Sequence, residues 1–517
     1  MKELVYHRIL LPAVERNADR VAFFDGAYQA TFAEHFERVG RLASALHALG
    51  VSGDDRFAVM ALNGHEFLEC YHAAFLGAGV INPLNLRLAP KELEYILADS
   101  GTKVCLTDAF FAPVIDRVRA AAGIEHVVMI GDGDGPHDAR YSDLLASASP
   151  KIPDEPEELD PVVLMYTGGT TGLPKGVLLN HRAEMLNLYH VLQVWRFGAD
   201  DVFLHQTPMF HAASMGGMLG VPGQGGSSVF LPLFDPARTL ELCERYGVTQ
   251  TVMVPTMIAM LLNHPEFSSE RLATLRMLTY GASPMPAALL DRLLALFPKL
   301  DIFQGYGMTE SSAVLTALGP DEHRAGGPRL RSAGRPLPGV VLTIQDPTGD
   351  VLPPGETGEV CARGGNFMTE YWKQPEATAD AFRGGWYHSG DAGYLDEDGY
   401  LFLVDRVKDM IVTGGENVYC IEVENAIASH PEVAQVAVIG IPSEVWGEAV
   451  HAVVVTHPGA AVTDADVIEH ARQSIAGYKV PKSVEVRTEP LPLSGAMKVL
   501  KRELRAPYWE GRERRVN

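Results

Sequence analysis

Cysteine is scarce in this chain: Cys70, Cys105, Cys243, Cys361 and Cys420 are its five, and no two are spaced as a CxxC pair. An odd, scattered set excludes a disulfide scaffold and a cysteine-rich metal site, and points to free thiols in a reducing compartment. Positive charge is also in deficit, with 43 Lys and Arg against 65 Asp and Glu and a formal net charge of −22. Such a chain has no broad electrostatic grip on nucleic acid or anionic lipid, although a local basic pocket for one nucleotide stays open. Long apolar runs are missing as well. The longest uncharged stretch, His205 to Phe234, is broken by Gly, Pro, Gln and Ser, so it reads as loops and short buried segments, not a membrane helix. Peripheral membrane contact is left open. The first twenty residues mix acids and bases and lack a signal-peptide core, so the expected location is the cytoplasm. No internal repeat or low-complexity segment stands out.

What is present is the composition of a globular protein, 47% hydrophobic and 21% charged over 517 residues, long enough for about three ordinary domains. The early chain alternates helix and strand. "TFAEHFERVGRLASALHALG" places Phe36, Val39, Leu42, Ala43 and Leu46 on one helical face, with Thr31 and Glu34 at capping-box spacing and Gly50 as a stop. Short apolar runs such as "RFAVMAL", "KVCLTD", "HVVMIGD", "VVLMYT", "TVMVP" and "LRMLTYG" end in polar or glycine residues. Separated by helices, they predict parallel sheets covered on both faces, with ligands gathering where the strands end. From about 335 to 405 the texture changes to alternating strands and Pro/Gly/Asp turns, which predicts antiparallel structure. The expected fold class is therefore α/β: a large N-terminal domain of parallel-sheet subdomains with a β-rich subdomain, residues 1–407. A small mobile α+β domain, residues 408–517, would follow.

The chemistry is announced by "YTGGTTGLPKGV", Tyr166 to Val177, with four glycines, three threonines and a lysine. Glycines let backbone N–H groups turn toward an anion, and threonine hydroxyls and a lysine add donors and charge. Leu173 and Pro174 separate Gly172 from Lys175, so the Walker A spacing is absent.

This stretch resembles the phosphate-binding loop of the adenylate-forming superfamily, the AMP-dependent synthetases and ligases. "GYGMTE" (Gly305–Glu310) is similar to the family's adenine and metal segment, and "YHSGD" (Tyr387–Asp391) to its ribose segment. "DRVKDMIVTGGENVY" is similar to its interdomain hinge, and "SGAMKVLKRELR" to the segment with its catalytic lysine. The motifs occur in order across most of the chain. Departures are Gly168 where Ser or Thr is common, Ser389 for Thr, Cys420 for Pro, and Met497 for the glycine before the lysine.

The resemblance implies a two-step reaction using ATP, Mg²⁺ and coenzyme A. A carboxylate would form an acyl-adenylate and release pyrophosphate, and a thiol would then take the acyl group and release AMP. Thr167, Gly168, Gly169, Thr170, Thr171, Gly172 and Lys175 would hold the phosphates, with Glu310 and Thr167 at the metal. Thr309 would bond the α-phosphate. Gly281, Ala282, Ser283, Gln304, Gly305, Tyr306, Gly307 and Met308 would frame the adenine, and Asp391 and Arg406 the ribose. Lys498 would catalyse the first step, with His211 near the acyl carbon or a core histidine instead. Lys408 would be the hinge, and Gly414, Gly415, Trp446 and Lys479 would lie near coenzyme A after rotation. A non-glycine at Met497 would resist a turn that needs positive φ.

Ala213, Met215, Gly216, Tyr280, Gly305, Met308 and Val314 would line the acyl pocket, which implies a carboxylic acid with an apolar tail, fatty or aryl. Carrier-protein loading, a luciferase-like oxygenase and a catalytically impaired nucleotide-binding relative are the alternatives. A homodimer is left open.

Overall fold

The computed structural model describes residues 2–167, 173–283, 285–406, 410–413, 416–443, 445–495 and 497–510. Two large sheets dominate. The 9-stranded sheet runs in the order Arg335–Pro336, Thr316–Leu318, Asp301–Tyr306, Met277–Gly281, Gln250–Met253, Val202–His205, Ser227–Phe230, Val21–Asp25, Tyr28–Thr31. From Asp301–Tyr306 across to Val21–Asp25 every pairing is parallel. The 8-stranded sheet is parallel from Pro161–Thr167 to Ala139–Arg140 and ends in two antiparallel strands, Lys175–Asn180 and Glu370–Tyr371. The apolar runs read from the sequence are the buried central strands of these sheets. Their continuous hydrophobicity follows from burial on both faces.

Local signals place several elements. The helix Phe32–Ala48 starts with the expected capping box: Glu34 N–H donates to Thr31 Oγ1 at 3.2 Å, and Glu34 Oε2 accepts from Thr31 N–H at 2.7 Å. The uncharged stretch 205–234 contains one nine-residue buried helix, Met215–Gly223, and the strand Ser227–Phe230. No helix among the described residues is long and apolar enough to cross a membrane. The antiparallel texture after 335 becomes a 4-stranded sheet of Val341–Gln345, Gly358–Arg363, Tyr387–Leu395 and Leu401–Arg406. From Ile411 onward a separate sheet forms around its own core of Ile411, Val418, Val423, Ile427, Val450 and Val467. All five cysteines are buried.

Burial pushes His72 down to about 4, and His181 and His205 down to about 3, against an ordinary value near 6.5. These groups are neutral when folded but take protons when unfolded below pH 6.5. Stability is therefore expected to fall as pH drops from 6.5 toward 3–4, by about 1 kcal/mol per histidine between pH 6.5 and 5.5. Glu184, which burial pushes up to about 8, works in the opposite sense between pH 8 and 4.5 and offsets one of them. Urea unfolding at the two pH values measures the net loss.

Candidate active site

The site forms where the strands Met277–Gly281 and Asp301–Tyr306 end side by side. Gly281 lies opposite Gly305, and a Cβ on Gly281 would come within 2.3 Å of the Gly305 carbonyl oxygen. The chain after Tyr306 folds back on itself. Leu315 N–H donates to the Tyr306 carbonyl at 2.7 Å, and a Cβ on Gly307 would come within 2.1 Å of the Ala313 carbonyl oxygen. Ala282 (φ 64°), Ser312 (φ 55°) and Ala313 (φ 97°) occupy left-handed backbone at these strand ends. Strain held by non-glycine residues in one place marks a geometry fixed by its surroundings.

Two groups of side chains converge here. In the first, Tyr306 Oη donates to Asp391 Oδ2 at 2.8 Å, which joins the adenine and ribose segments across two sheets. The Asp391 turn is held by its own N–H on Ser389 Oγ (3.1 Å), by Ser389 Oγ on the Val360 carbonyl (2.7 Å) and by Gly390 N–H on Glu359 Oε1 (3.1 Å). The serine in place of threonine thus keeps the hydroxyl that matters. Arg406 sits opposite Asp391 in the neighbouring strand, and its side chain lies outside the described residues.

In the second group, Thr309 is buried in a short turn and Glu310 follows it. Glu310 Oε1 accepts from Tyr371 Oη at 2.9 Å, and Lys175 Nζ stands 4.8 Å from the centre of the Tyr371 ring. Thr167 pairs with Lys175 across the base of the phosphate loop. The loop base, the carboxylate and Tyr371 therefore form one cluster. Its donors are a carboxylate and hydroxyls, an oxygen set that fits Mg²⁺. Tyr371 was missed by sequence reasoning. Its only signal is a "YW" pair closing the strand that covers Lys175–Asn180. Gly168, Gly169, Thr170, Thr171, Gly172, Lys408, Gly414 and Gly415 lie outside the described residues.

The C-terminal unit reaches this site through a tight hairpin. Leu493 bridges Val499, Ser494 N–H donates to the Lys498 carbonyl (2.7 Å), and Lys498 N–H to Ser494 Oγ (3.1 Å). The hairpin docks on the N-terminal region: Arg87 Nη1 donates to the Leu493 carbonyl and Thr256 Oγ1 to the Met497 carbonyl at 3.2 Å. A Cβ on Gly495 would meet Asn85 Oδ1 at 2.2 Å, so this contact is close. Lys498 thereby comes within electrostatic reach of His211. Burial pushes His211 down to about 3 and the lysine charge adds to that, so His211 is a neutral imidazole. Its Nδ1 accepts from Ala213 N–H at 3.3 Å, which fixes the ring at the head of the acyl wall.

Met497 takes φ 60°, the left-handed conformation for which glycine is suited, and it does not open the hairpin. Its side chain packs on the cluster of Met253, Met257 and Leu278 in the N-terminal region, a contact that exists only while the hairpin is docked. Met497→Ala keeps the strained φ and loses the anchor. It is expected to slow pyrophosphate release about tenfold, for a lost burial of about 1.5 kcal/mol. Met497→Gly tolerates the φ and should slow release less. Equal loss in both variants would leave backbone strain without a role.

One residue expected on the acyl wall lies elsewhere. Tyr280 points away from the wall into the core with Leu278, and its hydroxyl bonds Gln304 Oε1 (3.2 Å) and His323 Nε2 (3.1 Å). Neighbouring residues of a strand face opposite sides, and the face of 278 and 280 is the packed one. Trp195 instead packs against Gly216 and Gly305, two of the residues expected there. A Cβ on Gly305 would meet this indole at 3.5 Å and one on Gly216 at 3.6 Å, with Val314 3.9 Å from the former. Lys479 is paired with Glu422 at 2.7 Å, and Trp446 is 48% exposed at a hairpin turn of the C-terminal sheet.

Residues 11–372 match the family model described as AMP-binding enzyme, and 422–498 match the AMP-binding enzyme C-terminal domain. The chain belongs to the AMP-binding enzyme family. This AMP-binding enzyme is 40% identical to a feruloyl-CoA synthase of Amycolatopsis sp., over 93% of the chain and 95% of that protein. It is 36% identical to the long-chain fatty acid–CoA ligase FadD13 of Mycobacterium tuberculosis, over 92% of the chain and 93% of that protein. Its structure resembles an anthranilate CoA ligase in complex with anthranoyl-AMP, with a TM-score of 0.89 and 27% identity, covering 98% of this chain and 97% of that one. The AMP-binding enzyme is an acid–thiol ligase that works through an acyl-adenylate and uses ATP, Mg²⁺ and coenzyme A.

Proposed function

We propose that this acyl-CoA synthetase activates an acid with a flat, ring-bearing tail. The observation that carries this reading is the aromatic lining of the wall, where the Trp195 indole packs directly on Gly216 and Gly305. An indole on the wall suits a planar ring. The identity to a feruloyl-CoA synthase supports the same reading.

In the first step the substrate carboxylate oxygen attacks the α-phosphorus, and the bond to pyrophosphate breaks. Lys498, held by its hairpin beside His211, offsets negative charge on both the carboxylate and the α-phosphate. Thr309 and Lys175 donate to phosphate oxygens. Glu310, with Tyr371 fixing its orientation, would hold Mg²⁺, which would supply positive charge to the polyphosphate. Tyr306 lies on the adenine, and Asp391 accepts from the ribose hydroxyls. In the second step the coenzyme A sulfur attacks the acyl carbon and AMP leaves. His211 stays neutral and adds no positive charge at the acyl carbon. The part 408–517 acts as a mobile domain that turns between the steps.

Pyrophosphate release measured with fatty and aryl acids, with and without coenzyme A, tests this reading. An aryl acid is expected to give the highest kcat/KM and to yield its CoA thioester. Highest efficiency with a long alkyl acid would overturn the ring reading. Adenylate that accumulates with coenzyme A present, yet transfers to a phosphopantetheinyl protein, would point to a carrier-protein acceptor.

A further inference from the structure

The segment that carries Asp391 is a bulge in the 4-stranded sheet. Glu359 lies opposite Ala392 and Cys361 opposite His388, so Ser389, Gly390 and Asp391 together face the single residue Val360. Extra residues in one strand lose their ladder partners and re-aim a side chain, here that of Asp391 toward Tyr306 Oη at 2.8 Å. Gly390 turns the chain with φ 71°. A Cβ there would meet no atom within 4 Å, so glycine serves the angle and not the space.

Backbone groups freed by a bulge need other partners. Ser389 supplies two: its hydroxyl donates to the Val360 carbonyl and accepts from Asp391 N–H. The remaining one, Gly390 N–H, donates to Glu359 Oε1 at 3.1 Å. The other oxygen of that carboxylate lies 2.9 Å from His388 Nδ1 and accepts from Arg383 Nη2 at 2.7 Å. A carboxylate has acceptor sites enough for all three. Glu359 thus grips the bulge on both sides of Ser389, at His388 and at Gly390. Arg383, from the short turn Arg383–Gly385, steadies the carboxylate from outside. The Arg383 side chain is 48% exposed, and an ion pair so placed contributes little by itself. The bond to Gly390, one residue before Asp391, is the contact with a consequence for the site.

We propose that Glu359 is a positioning residue for the nucleotide ribose: by clamping the bulge it aims the Asp391 carboxylate, and so sets the preference for ATP over nucleotides that lack a ribose hydroxyl. This rests on the reading of Asp391 as the ribose acceptor. Without Glu359 the Gly390 N–H turns to water and the bulge is free to shift. Asp391 then meets the two hydroxyls in fewer of its arrangements, and the gain from each hydroxyl shrinks.

The test compares kcat and KM for ATP, 2′-deoxyATP and 3′-deoxyATP, with the acid that wild type uses best, in wild type, Glu359→Ala, Glu359→Gln and Asp391→Asn. Wild type is expected to favour ATP over each deoxy nucleotide by about tenfold or more in kcat/KM. Glu359→Ala should raise KM for ATP about tenfold, change kcat by less than about threefold, and bring both ratios to within about threefold of one. A loss of folded enzyme alone would lower kcat for all three nucleotides alike and leave the ratios unchanged. Glu359→Gln keeps an oxygen for Gly390 N–H and should retain most of the preference, although its amide gives up the ion pair with Arg383. Unchanged ratios in Glu359→Ala, where Asp391→Asn loses them, would overturn this proposal and leave the ribose reading standing. A loss in Glu359→Gln as large as in Glu359→Ala would overturn it too, since the ion pair and not the Gly390 bond would then be what counts. Unchanged ratios in Asp391→Asn, or no preference in wild type, overturn the ribose reading together with this one. If the alanine variant does not fold, Glu359→Asp decides, because it keeps the charge but falls short of Gly390: lowered ratios support the clamp and unchanged ratios overturn it. If no acid gives pyrophosphate release, the synthetase reading falls, and calorimetric binding of the three nucleotides to the same variants supplies the ratios.

Discussion

Lys498→Ala is expected to reduce acid-dependent pyrophosphate release by about 100- to 1,000-fold, the usual loss when one preorganised charge at a developing oxyanion is removed. The lysine sits on a hairpin closed by the Leu493–Val499 bridge and by two bonds between Ser494 and Lys498. Its carrier is pinned to the N-terminal region through Arg87 and Thr256. The backbone that carries the ammonium is therefore fixed before substrates arrive, and truncating the side chain leaves these bonds in place. The loss should fall on the first step only. Supplied with a preformed acyl-adenylate and coenzyme A, the variant should make thioester at close to the wild-type rate. Stopped-flow assay of the two half-reactions separates them. Equal loss in both would show that Lys498 serves binding or folding instead of adenylation.

Glu310→Gln should lower kcat by about 100-fold and raise the Mg²⁺ concentration needed for half-maximal rate. The amide keeps the shape of the side chain and its acceptor for the Tyr371 hydroxyl at 2.9 Å, so loss of packing is a small part of the effect. What disappears is the negative charge that favours a hard divalent cation. Tyr371→Phe tests the positioning role separately. It removes the hydroxyl bond but leaves the ring beneath Lys175, and should cost only about fivefold, with a modest rise in the Mg²⁺ requirement. An unchanged Mg²⁺ dependence in Glu310→Gln would remove this carboxylate from the metal site. Glu310→Gln should unfold at the wild-type temperature, since Glu310 is only half-buried.

The chain order of the motifs made the family legible, and the apolar runs made the parallel sheets legible, because both signals are local in sequence. Thr31 and Glu34 announced a helix start that forms as written. The Tyr306–Asp391 bond joins residues far apart in the chain, yet each was named from its own motif. Tyr371 was not, because its meaning comes from contact with Glu310 and Lys175 on other elements. Tyr280 was placed on the wrong face. Its sequence neighbourhood pointed to the pocket, but the pleat of its strand turns it into the core beside His323. Met497 was expected to resist its turn. In the folded chain it takes the left-handed conformation and gains a packing surface across the docked hairpin.

The sequence by itself determined the α/β class, the family chemistry and the identity of the charged groups, since glycine-rich loops, caps and buried strands are fixed by neighbours a few residues away. Only the tertiary structure decided which groups meet. The packing of Trp195 on Gly216 and Gly305 and the approach of Lys498 to His211 depend on close packing between distant segments. Such packing is set by side-chain volume and strand pleat, which no local pattern carries.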